Sequence, residues 1–181
     1  MKKINFYIDT ETTGLESTEN GITQISILIE DEKGKIIDTF DEYIRPADEC
    51  IITITALEIQ GITREDLKTD KYQEEKIVAD KLQKFLEKYQ EHDLNIIGYN
   101  VPFDLGFLDS FLERNNINFD INSHRNTDVL EMVRSYHLNM YNSLTNACCY
   151  FGVNLENAHN SLGDVTATRD LYHKLTKKKN K

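Results

Sequence analysis

The chain has 181 residues, 39% of them hydrophobic, and a formal net charge of −10. This length and apolar content suit one compact domain, and no apolar run is long enough to cross a bilayer. The acidic balance argues against broad affinity for long nucleic acids, yet it is compatible with a site in which divalent cations reverse the local charge. The cysteines, Cys50, Cys148 and Cys149, lack CxxC spacing, so neither a disulfide framework nor a zinc site is expected.

The first third of the chain predicts an antiparallel meander, because apolar and polar residues alternate in three segments. The strands are expected over residues 4–11, 22–30 and 35–44. A turn over residues 31–34 joins the last two. Because Met1 leads within a few residues into the first strand, we expect no signal peptide and a cytoplasmic location. An irregular stretch follows Pro46, and after it Thr63 is placed to cap a short helix that begins with acidic residues.

Helices and one further strand are predicted in the rest of the chain. Leu82, Phe85 and Leu86 recur at helical spacing and indicate a helix over residues 72–90, and a short buried strand follows at 94–98. Pro102 suits the first turn of the next helix. The last helices are expected over residues 127–137, 143–151 and 161–177, capped by Thr127, Ser143 and either Asn160 or Ser161. A mixed α/β domain with helices around one sheet is therefore predicted.

The C-terminal end is rich in lysine. The basic run consists of Lys174, Lys177, Lys178, Lys179 and Lys181. It is placed to touch a phosphate backbone, but we interpret it as a solvated tail. We therefore expect a single domain over residues 1–175 and a basic tail over residues 176–181.

Two carboxylates stand at the end of the first predicted strand, in the segment DTETTGL (residues 9–15). Side chains alternate along a strand, so Asp9 and Glu11 project from the same face. Like charges this close repel each other, and a divalent cation with oxygen ligands would remove the repulsion. Taken alone, the pair is equally well explained as a solvated strand end.

A third carboxylate occurs where a predicted strand leads into a helix, in the segment GYNVPFD (residues 98–104). Asp104 falls in the first helical turn, where the helix dipole favours a negative side chain. The dipole does not explain why this acid also follows directly on a strand end, which is the edge where active sites of such sheets lie. Asp104 is therefore a candidate ligand.

A histidine and a fourth carboxylate mark the start of the last predicted helix, in the segment AHNSLGD (residues 158–164). His159 precedes the helix and Asp164 lies about one turn inside it, so we expect the two to be close together. By itself, His159 would be interpreted as a surface or capping residue. Four histidines lack a comparable acidic neighbourhood and are assigned no function: His92, His124, His137 and His173.

The three segments together supply carboxylates and one base with an unperturbed pKa of about 6.5. The predicted metal ligands are Asp9, Glu11, Asp104 and Asp164. Oxygen ligands suit Mg²⁺ or Mn²⁺, and two such ions roughly 3.5 to 4 Å apart clamp the attacking and leaving oxygens of a phosphodiester displacement. His159 is the predicted base that takes the proton from the attacking water, and the product would be a nucleoside monophosphate.

The same segments resemble the DEDD exonucleases of the histidine subtype, which shorten a strand from its 3′ end. The resemblance runs from FYIDTETTGL (residues 6–15) to DVTAT (residues 164–168). The segments ALEIQGIT (residues 56–63) and NTDVL (residues 126–130) also resemble intermediate parts of that family. Within the family, the similarity is greatest to the proofreading exonucleases of bacterial DNA polymerase III.

The resemblance implies an RNase H-like fold, in which helices flank a mixed central sheet. It implies a single-stranded DNA 3′ end as substrate and a DNA polymerase subunit as a candidate partner. The residues that it places near the terminal nucleotide are Thr12, Leu15, Asn100 and Phe103. Tyr99 and Gln60 depart from the family pattern, which often has histidine at both positions, and these departures bear on substrate preference and end binding.

Two other functions fit the same residues. An RNA 3′ exonuclease, such as oligoribonuclease or RNase T, shares the five catalytic residue types, and no residue here indicates a contact to a 2′-hydroxyl. The form of the first motif favours the DNA-directed branch. The other alternative is a catalytically silent scaffold that binds a polymerase or a strand end, but clustered acids without a metal would repel one another and reduce stability.

Overall fold

The computed structural model describes residues 2–136, 142–156 and 158–179. The strands are β1 (Lys3–Thr12), β2 (Ile22–Glu30), β3 (Ile36–Arg45), β4 (Gln73–Glu74), β5 (Asp93–Gly98) and β6 (Arg125–Asp128). The helices are α1 (Ile54–Gln60), α2 (Glu75–Glu87), α3 (Val101–Arg114), α4 (Val129–Arg134), α5 (Leu144–Phe151) and α6 (Ser161–Lys179). Within the described residues, no helix has both the length and the apolar character needed to cross a membrane.

The strands form one mixed sheet in the order β4-β3-β2-β1-β5-β6. The pairs β1/β2 and β2/β3 are antiparallel, so the predicted meander is confirmed. By contrast, β5 runs parallel to β1, and β6 runs parallel to β5. Parallel strands end at the same edge of a sheet, so the C-terminal ends of β1, β5 and β6 lie side by side.

Apolar side chains cover both faces of the sheet. Along β1, Phe6 belongs to the core that α2 and α3 cover, whereas Tyr7 belongs to the core beneath α4, α5 and α6. This alternation follows from strand geometry and continues to the end of β1. Asp9 and Glu11 therefore share the face of Tyr7, and Thr10 lies on the opposite face. The direction of each site residue on β1 is fixed by this packing.

A buried ionic cluster fastens α6 to the far end of β2. Glu30 is 1% exposed, and its carboxylate contacts Arg169 and His173 of α6. It also accepts hydrogen bonds from the Tyr7 hydroxyl and the Asn5 amide, both at 3.1 Å. Burial alone would raise the pKa of Glu30, but the hydrogen bonds from His173 and Asn5 hold it below its ordinary value. Because the first turn of α6 carries a predicted ligand, this cluster also helps to position that ligand.

The stretch after residue 46, predicted to be irregular, contains helix α1. Thr53 caps this helix by accepting a hydrogen bond from the Ala56 N–H at 3.3 Å, and the helix ends at Gly61, which has a left-handed φ of 67°. Leu57 is the one buried residue of the seven in α1. The other large apolar residues of the helix, Ile54 and Ile59, are exposed, so its apolar residues do not mark one buried face from which a helix could be predicted.

Other helices differ from the prediction mainly at their ends. In place of the helix expected at Thr63, a single 3₁₀ turn spans Asp66–Lys68. α2 begins after the predicted residue 72, because the two residues of β4 pair with β3 before the helix begins, and it ends at Glu87 instead of residue 90. The predicted starts after Ser143 and at Ser161 are confirmed in α5 and α6.

The helix predicted from Thr127 begins later in the chain. Thr127 lies in β6, where its hydroxyl donates to Asn95 Oδ1 at 3.0 Å. α4 is capped instead by Asp128, whose Oδ1 accepts from the Leu130 N–H at 2.9 Å. The four residues of β6 include no apolar side chain, so its pairing with β5 could not be predicted from hydrophobic pattern. The predicted helix end, His137, lies outside the described residues.

We predict that Glu30→Gln lowers the free energy of unfolding by roughly 2 to 4 kcal/mol at neutral pH, because Arg169 and His173 lose their buried anionic partner. The lowered pKa of Glu30 means that its contribution is present above the ordinary carboxyl pKa and is lost as the pH falls through the folded-state value. Urea unfolding of both proteins at neutral pH and below about pH 4 measures this difference. The difference in free energy of unfolding between Glu30→Gln and the wild type should narrow at acidic pH.

The matched control is Glu65→Gln, which removes an exposed carboxylate paired with Lys68. Such a surface pair contributes at most about 1 kcal/mol, so this variant should unfold close to the wild type. Equal midpoints for Glu30→Gln and the wild type at neutral pH would show that the Glu30 cluster does not hold α6.

Candidate metal site

Carboxyl groups from two elements meet at the C-terminal end of β1. One oxygen from each of Asp9, Glu11 and Asp164 lies within 4.8 Å of the others, a spacing that fits a shared metal ion. Asp9 and Glu11 occupy alternate positions of β1, and Asp164 lies in the first turn of α6, which packs on the same face. Asp164 Oδ1 is buried and has no hydrogen-bond partner among the described residues. An unpaired acceptor within an all-oxygen donor set fits a hard divalent cation.

The fourth predicted carboxylate approaches β1 from the other side. Asp104 is 3% exposed, and its Oδ1 accepts from both the N–H (2.9 Å) and the hydroxyl (2.8 Å) of Thr10. Thr10 lies on the face of β1 that α3 covers, opposite to the face of Asp164. Asp104 is nevertheless close enough for its charge to act on Asp9 and Glu11. The geometric cluster thus contains three of the four predicted ligands, and a direct role for Asp104 stays a prediction.

Burial raises the pKa of each of the four predicted ligands, and repulsion from neighbouring carboxylates raises it further at Asp9 and Glu11. Burial and then the charges of Asp104 and Asp164 hold the pKa of Asp9 well above its ordinary value. Burial, followed by the charges of Asp164 and Asp104, raises the pKa of Glu11 to about 7. Burial also raises the pKa of Asp104 to about 7, against the hydrogen bonds from Thr10, and raises the pKa of Asp164. A divalent cation would offset both effects by supplying positive charge.

His159 lies on the exposed loop that leads into α6. Its backbone has a φ of 66°, in the left-handed region that non-glycine residues seldom adopt, and its N–H donates to Asp164 Oδ2 at 3.3 Å. Its side chain lines a small pocket together with Glu11, Gln60 and Tyr43. The predicted base is therefore adjacent to the carboxylate cluster without being a member of it.

The residues expected near a terminal nucleotide differ in how open they are. Leu15 is 81% exposed, Asn100 is exposed with a φ of 67°, and Phe103 is half-buried against the core. Thr12 is 8% exposed, and its hydroxyl donates to the Gly14 carbonyl at 2.7 Å. The Thr12 side chain thus stabilises the turn after β1, while the other three remain accessible.

Several residues that hold the site were not predicted. Asp128 Oδ1 accepts from the Asn100 N–H at 2.9 Å, which fixes the chain between β5 and α3. Gln60 donates to the Thr12 carbonyl at 2.7 Å and accepts from the Thr23 hydroxyl at 2.6 Å, so it ties α1 to the end of β1. Both residues fall within segments that carried the family resemblance, but their partners are distant in sequence and could not be predicted from it.

Carboxylates gathered at a sheet edge are an arrangement that can hold divalent cations for phosphodiester chemistry. The sequence profile of the family described as Exonuclease matches residues 6–172. The chain belongs to this exonuclease family.

Relatives in the family include much larger proteins. "DNA polymerase III PolC-type" of Latilactobacillus sakei is 31% identical over 170 residues, which is 93% of this chain and 11% of the relative. The protein of the same name from Lactococcus lactis is 33% identical over 161 residues, covering 88% of this chain and 9% of the relative. The chain thus spans about a tenth of the length of these relatives.

Solved structures share the fold. E. coli Exonuclease I in complex with a dT13 oligonucleotide superposes with a TM-score of 0.81 at 23% identity, covering 97% of this chain and 41% of that one. The ligand-free form of exonuclease I gives a TM-score of 0.79 at 21% identity, covering 98% of this chain and 42% of that one. The predicted mixed α/β, RNase H-like sheet flanked by helices is confirmed by this similarity.

We predict that the metal-free protein loses stability as the pH rises toward 8. The folded-state pKa values of Glu11 and Asp104 are raised to about 7, so the folded state binds more protons than the unfolded state between about pH 4 and 7. Their contribution is full below the unfolded-state pKa and is lost as the pH passes the folded-state value. Thermal unfolding in chelator at about pH 5.5 and pH 8 measures the change.

Mn²⁺ should raise the unfolding temperature more at pH 8 than at pH 5.5, because protons compete with the cation for the same oxygens. Asp9→Ala is the matched control and should remove most of the Mn²⁺ response. An equal Mn²⁺ response in Asp9→Ala and the wild type would place the cation elsewhere.

Proposed function

We propose that the chain removes nucleoside monophosphates from the 3′ end of single-stranded DNA with the help of two divalent cations, Mg²⁺ or Mn²⁺. The observation that carries the proposal is the cluster of Asp9, Glu11 and Asp164, whose oxygens lie within 4.8 Å of one another in an exonuclease-family chain. DNA is favoured because the relatives are named as DNA polymerases and the exonuclease I complex contains a dT13 oligonucleotide.

The carboxylates and His159 would have different roles in hydrolysis: the carboxylates bind the cations, and His159 accepts a proton. The cations, when bound, stabilise charge on the attacking and leaving oxygens of the phosphodiester. Asp9, Glu11 and Asp164 would hold them, with Asp104 as the further ligand that the sequence predicts. His159 would accept the proton of the attacking water, and its exposed loop lets the proton pass on to solvent.

The terminal nucleotide would lie against the accessible residues around the cluster. The 81% exposed side chain of Leu15 offers an apolar surface on which the last base can pack. Phe103, half-buried at the start of α3, offers an aromatic surface, and Asn100 offers a polar group beside it. These contacts recognise a strand end through stacking, which suits substrates of any base sequence.

We propose that the exonuclease acts together with a DNA polymerase. The relatives named DNA polymerase III PolC-type include a matching segment within a much longer chain, which supports a role in proofreading or repair. We propose the cytoplasm as its location. We further propose one exonuclease domain over residues 1–175, followed by a basic tail over 176–181. Because α6 continues to Lys179, the first part of this tail extends the last helix.

The proposal is tested by a time course on 5′-labelled single-stranded DNA and RNA of the same sequence, with Mg²⁺, Mn²⁺ or chelator. We expect a metal-dependent ladder that shortens from the 3′ end one nucleotide at a time, faster for DNA. Asp9→Ala should abolish it by removing a ligand. Faster RNA shortening would indicate an RNA exonuclease, and no shortening of either strand would favour the scaffold.

We predict that His159→Ala lowers kcat on the order of 10² to 10⁴-fold, because the general base is lost while the ligands remain. Calorimetry on the wild type and the two variants measures the affinity for Mn²⁺. This affinity should change little in His159→Ala and fall strongly in Asp9→Ala. If His159→Ala weakened Mn²⁺ binding as much as Asp9→Ala, the histidine would have a structural or ligand role instead.

A further inference from the structure

A connected set of polar side chains lies beneath the loop that carries His159. We call it the Gln24 network, and it consists of Gln24, Asp41, Tyr43, Asn160 and Ser161. Gln24 is 2% exposed on β2 and pairs directly with Glu11 of β1. Such a buried amide is stable only where both its donor and its acceptor are bonded. The network supplies these bonds.

The orientation of the Gln24 amide is set from β3. Asp41 Oδ1 accepts from Gln24 Nε2 at 2.9 Å and from the Ser26 hydroxyl at 2.7 Å. A carboxylate oxygen accepts and an amide nitrogen donates, so the Gln24 nitrogen must face Asp41. The Gln24 carbonyl oxygen therefore points the other way, toward the loop before α6.

That single oxygen bonds to two consecutive residues. Gln24 Oε1 accepts from Asn160 Nδ2 at 3.1 Å and from the Ser161 N–H at 3.2 Å. Asn160 Nδ2 also donates to the Tyr43 hydroxyl at 2.7 Å. The Ser161 hydroxyl donates to the Asp9 carbonyl at 2.6 Å, which ties the start of α6 to the strand that carries the metal cluster.

His159 is the residue immediately before this bonded pair. Its left-handed φ of 66° is unfavourable for a side chain of this size and persists where neighbouring contacts impose it. Beyond the weak bond from its own N–H to Asp164 Oδ2 at 3.3 Å, the chain on its C-terminal side is held by the bonds of Asn160 to Tyr43 and of Ser161 to Asp9. Among these contacts, Gln24 is the residue that binds both Asn160 and Ser161. The position of the imidazole thus depends on a residue that lies 135 positions earlier in the chain.

We infer that Gln24 is a positioning residue for His159: its carbonyl oxygen holds Asn160 and Ser161 so that the imidazole stays beside the cluster of Asp9, Glu11 and Asp164. The inference rests on the proposed role of His159 as the base. Gln24 acts through its bonds to Asn160 and Ser161, and Asp41 acts through Gln24 by orienting the amide.

The test begins with Gln24→Met, which keeps the volume of the side chain but removes both hydrogen-bonding groups. We expect kcat to fall about 10- to 100-fold with little change in KM, because the base is displaced while the strand end still binds. The matched control is Gln73→Met, the same change at a part-buried glutamine of β4 whose amide bonds Glu42 and Lys81, and it should leave kcat unchanged. An unchanged kcat in folded Gln24→Met would overturn the inference.

A double-mutant cycle separates positioning from general loosening of the site. If Gln24 acts through His159, adding Gln24→Met to His159→Ala should cost little more than His159→Ala alone. If the double variant instead lost kcat by the product of the two single-variant factors, the inference would be contradicted. Should Gln24→Met fail to fold, Tyr43→Phe serves in its place, because it removes one partner of Asn160. We expect Tyr43→Phe to lower kcat by a smaller factor, and to have no further effect in the His159→Ala background. If Tyr43→Phe still lowered kcat in that background, the inference would be contradicted.

A readout independent of turnover distinguishes failure of this inference from failure of the proposed function. Added Mn²⁺ should broaden the NMR signal of the His159 ring strongly in the wild type and less in Gln24→Met, with the signal assigned by its loss in His159→Ala. If the wild type shortens no strand, the exonuclease proposal fails, and the broadening still decides on positioning. Broadening that is absent in the wild type, or equal in both proteins, overturns the inference.

Discussion

The repulsion among carboxyl groups at the end of β1 is the constraint on which the rest of this structure depends. Asp9, Glu11 and Asp164 bring oxygens within 4.8 Å of one another in a partly buried region, and the pKa of each is raised. Without a cation such a cluster opposes folding, because charge is both desolvated and unbalanced. The fold must therefore hold β1 and α6 together by contacts elsewhere, and the apolar cores on both faces of the sheet supply most of that stability.

Helix α6 is fixed to the sheet at its start and near its middle by polar contacts of different kinds. Near the middle of the helix, Glu30 binds Arg169 as an ion pair and contacts His173. At the start of the helix, Gln24 binds the chain just before Asp164 through neutral hydrogen bonds. A negative side chain next to the carboxylate cluster would add to the repulsion among its carboxylates, but the neutral amide of Gln24 does not. Both Glu30 and Gln24 lie on β2, so this strand helps to position the helix that carries the predicted ligand Asp164.

Sequence patterns predicted the local parts of this site and missed the long-range ones. Asp9 and Glu11 were predictable because strand alternation places them on one face, and Asp164 because it lies one turn inside a capped helix. The same alternation puts Thr10 on the opposite face, where it binds Asp104, so equal roles for the four acids did not follow from spacing alone. β6 and the Gln24 network depend on partners far along the chain, and neither has an apolar period that reports them.

Two non-glycine residues with left-handed backbones flank the cluster, and each is held by a carboxylate. The Asn100 N–H donates to Asp128, and the His159 N–H donates to Asp164. Such conformations are unfavourable by themselves and are kept where the surroundings determine them more than once. Beside the carboxylate cluster, these backbone conformations are thus each supported by a hydrogen bond from the same residue's N–H. A preorganised edge of this kind suits hydrolysis, since the geometry of the reacting groups need not be established after the strand end has bound.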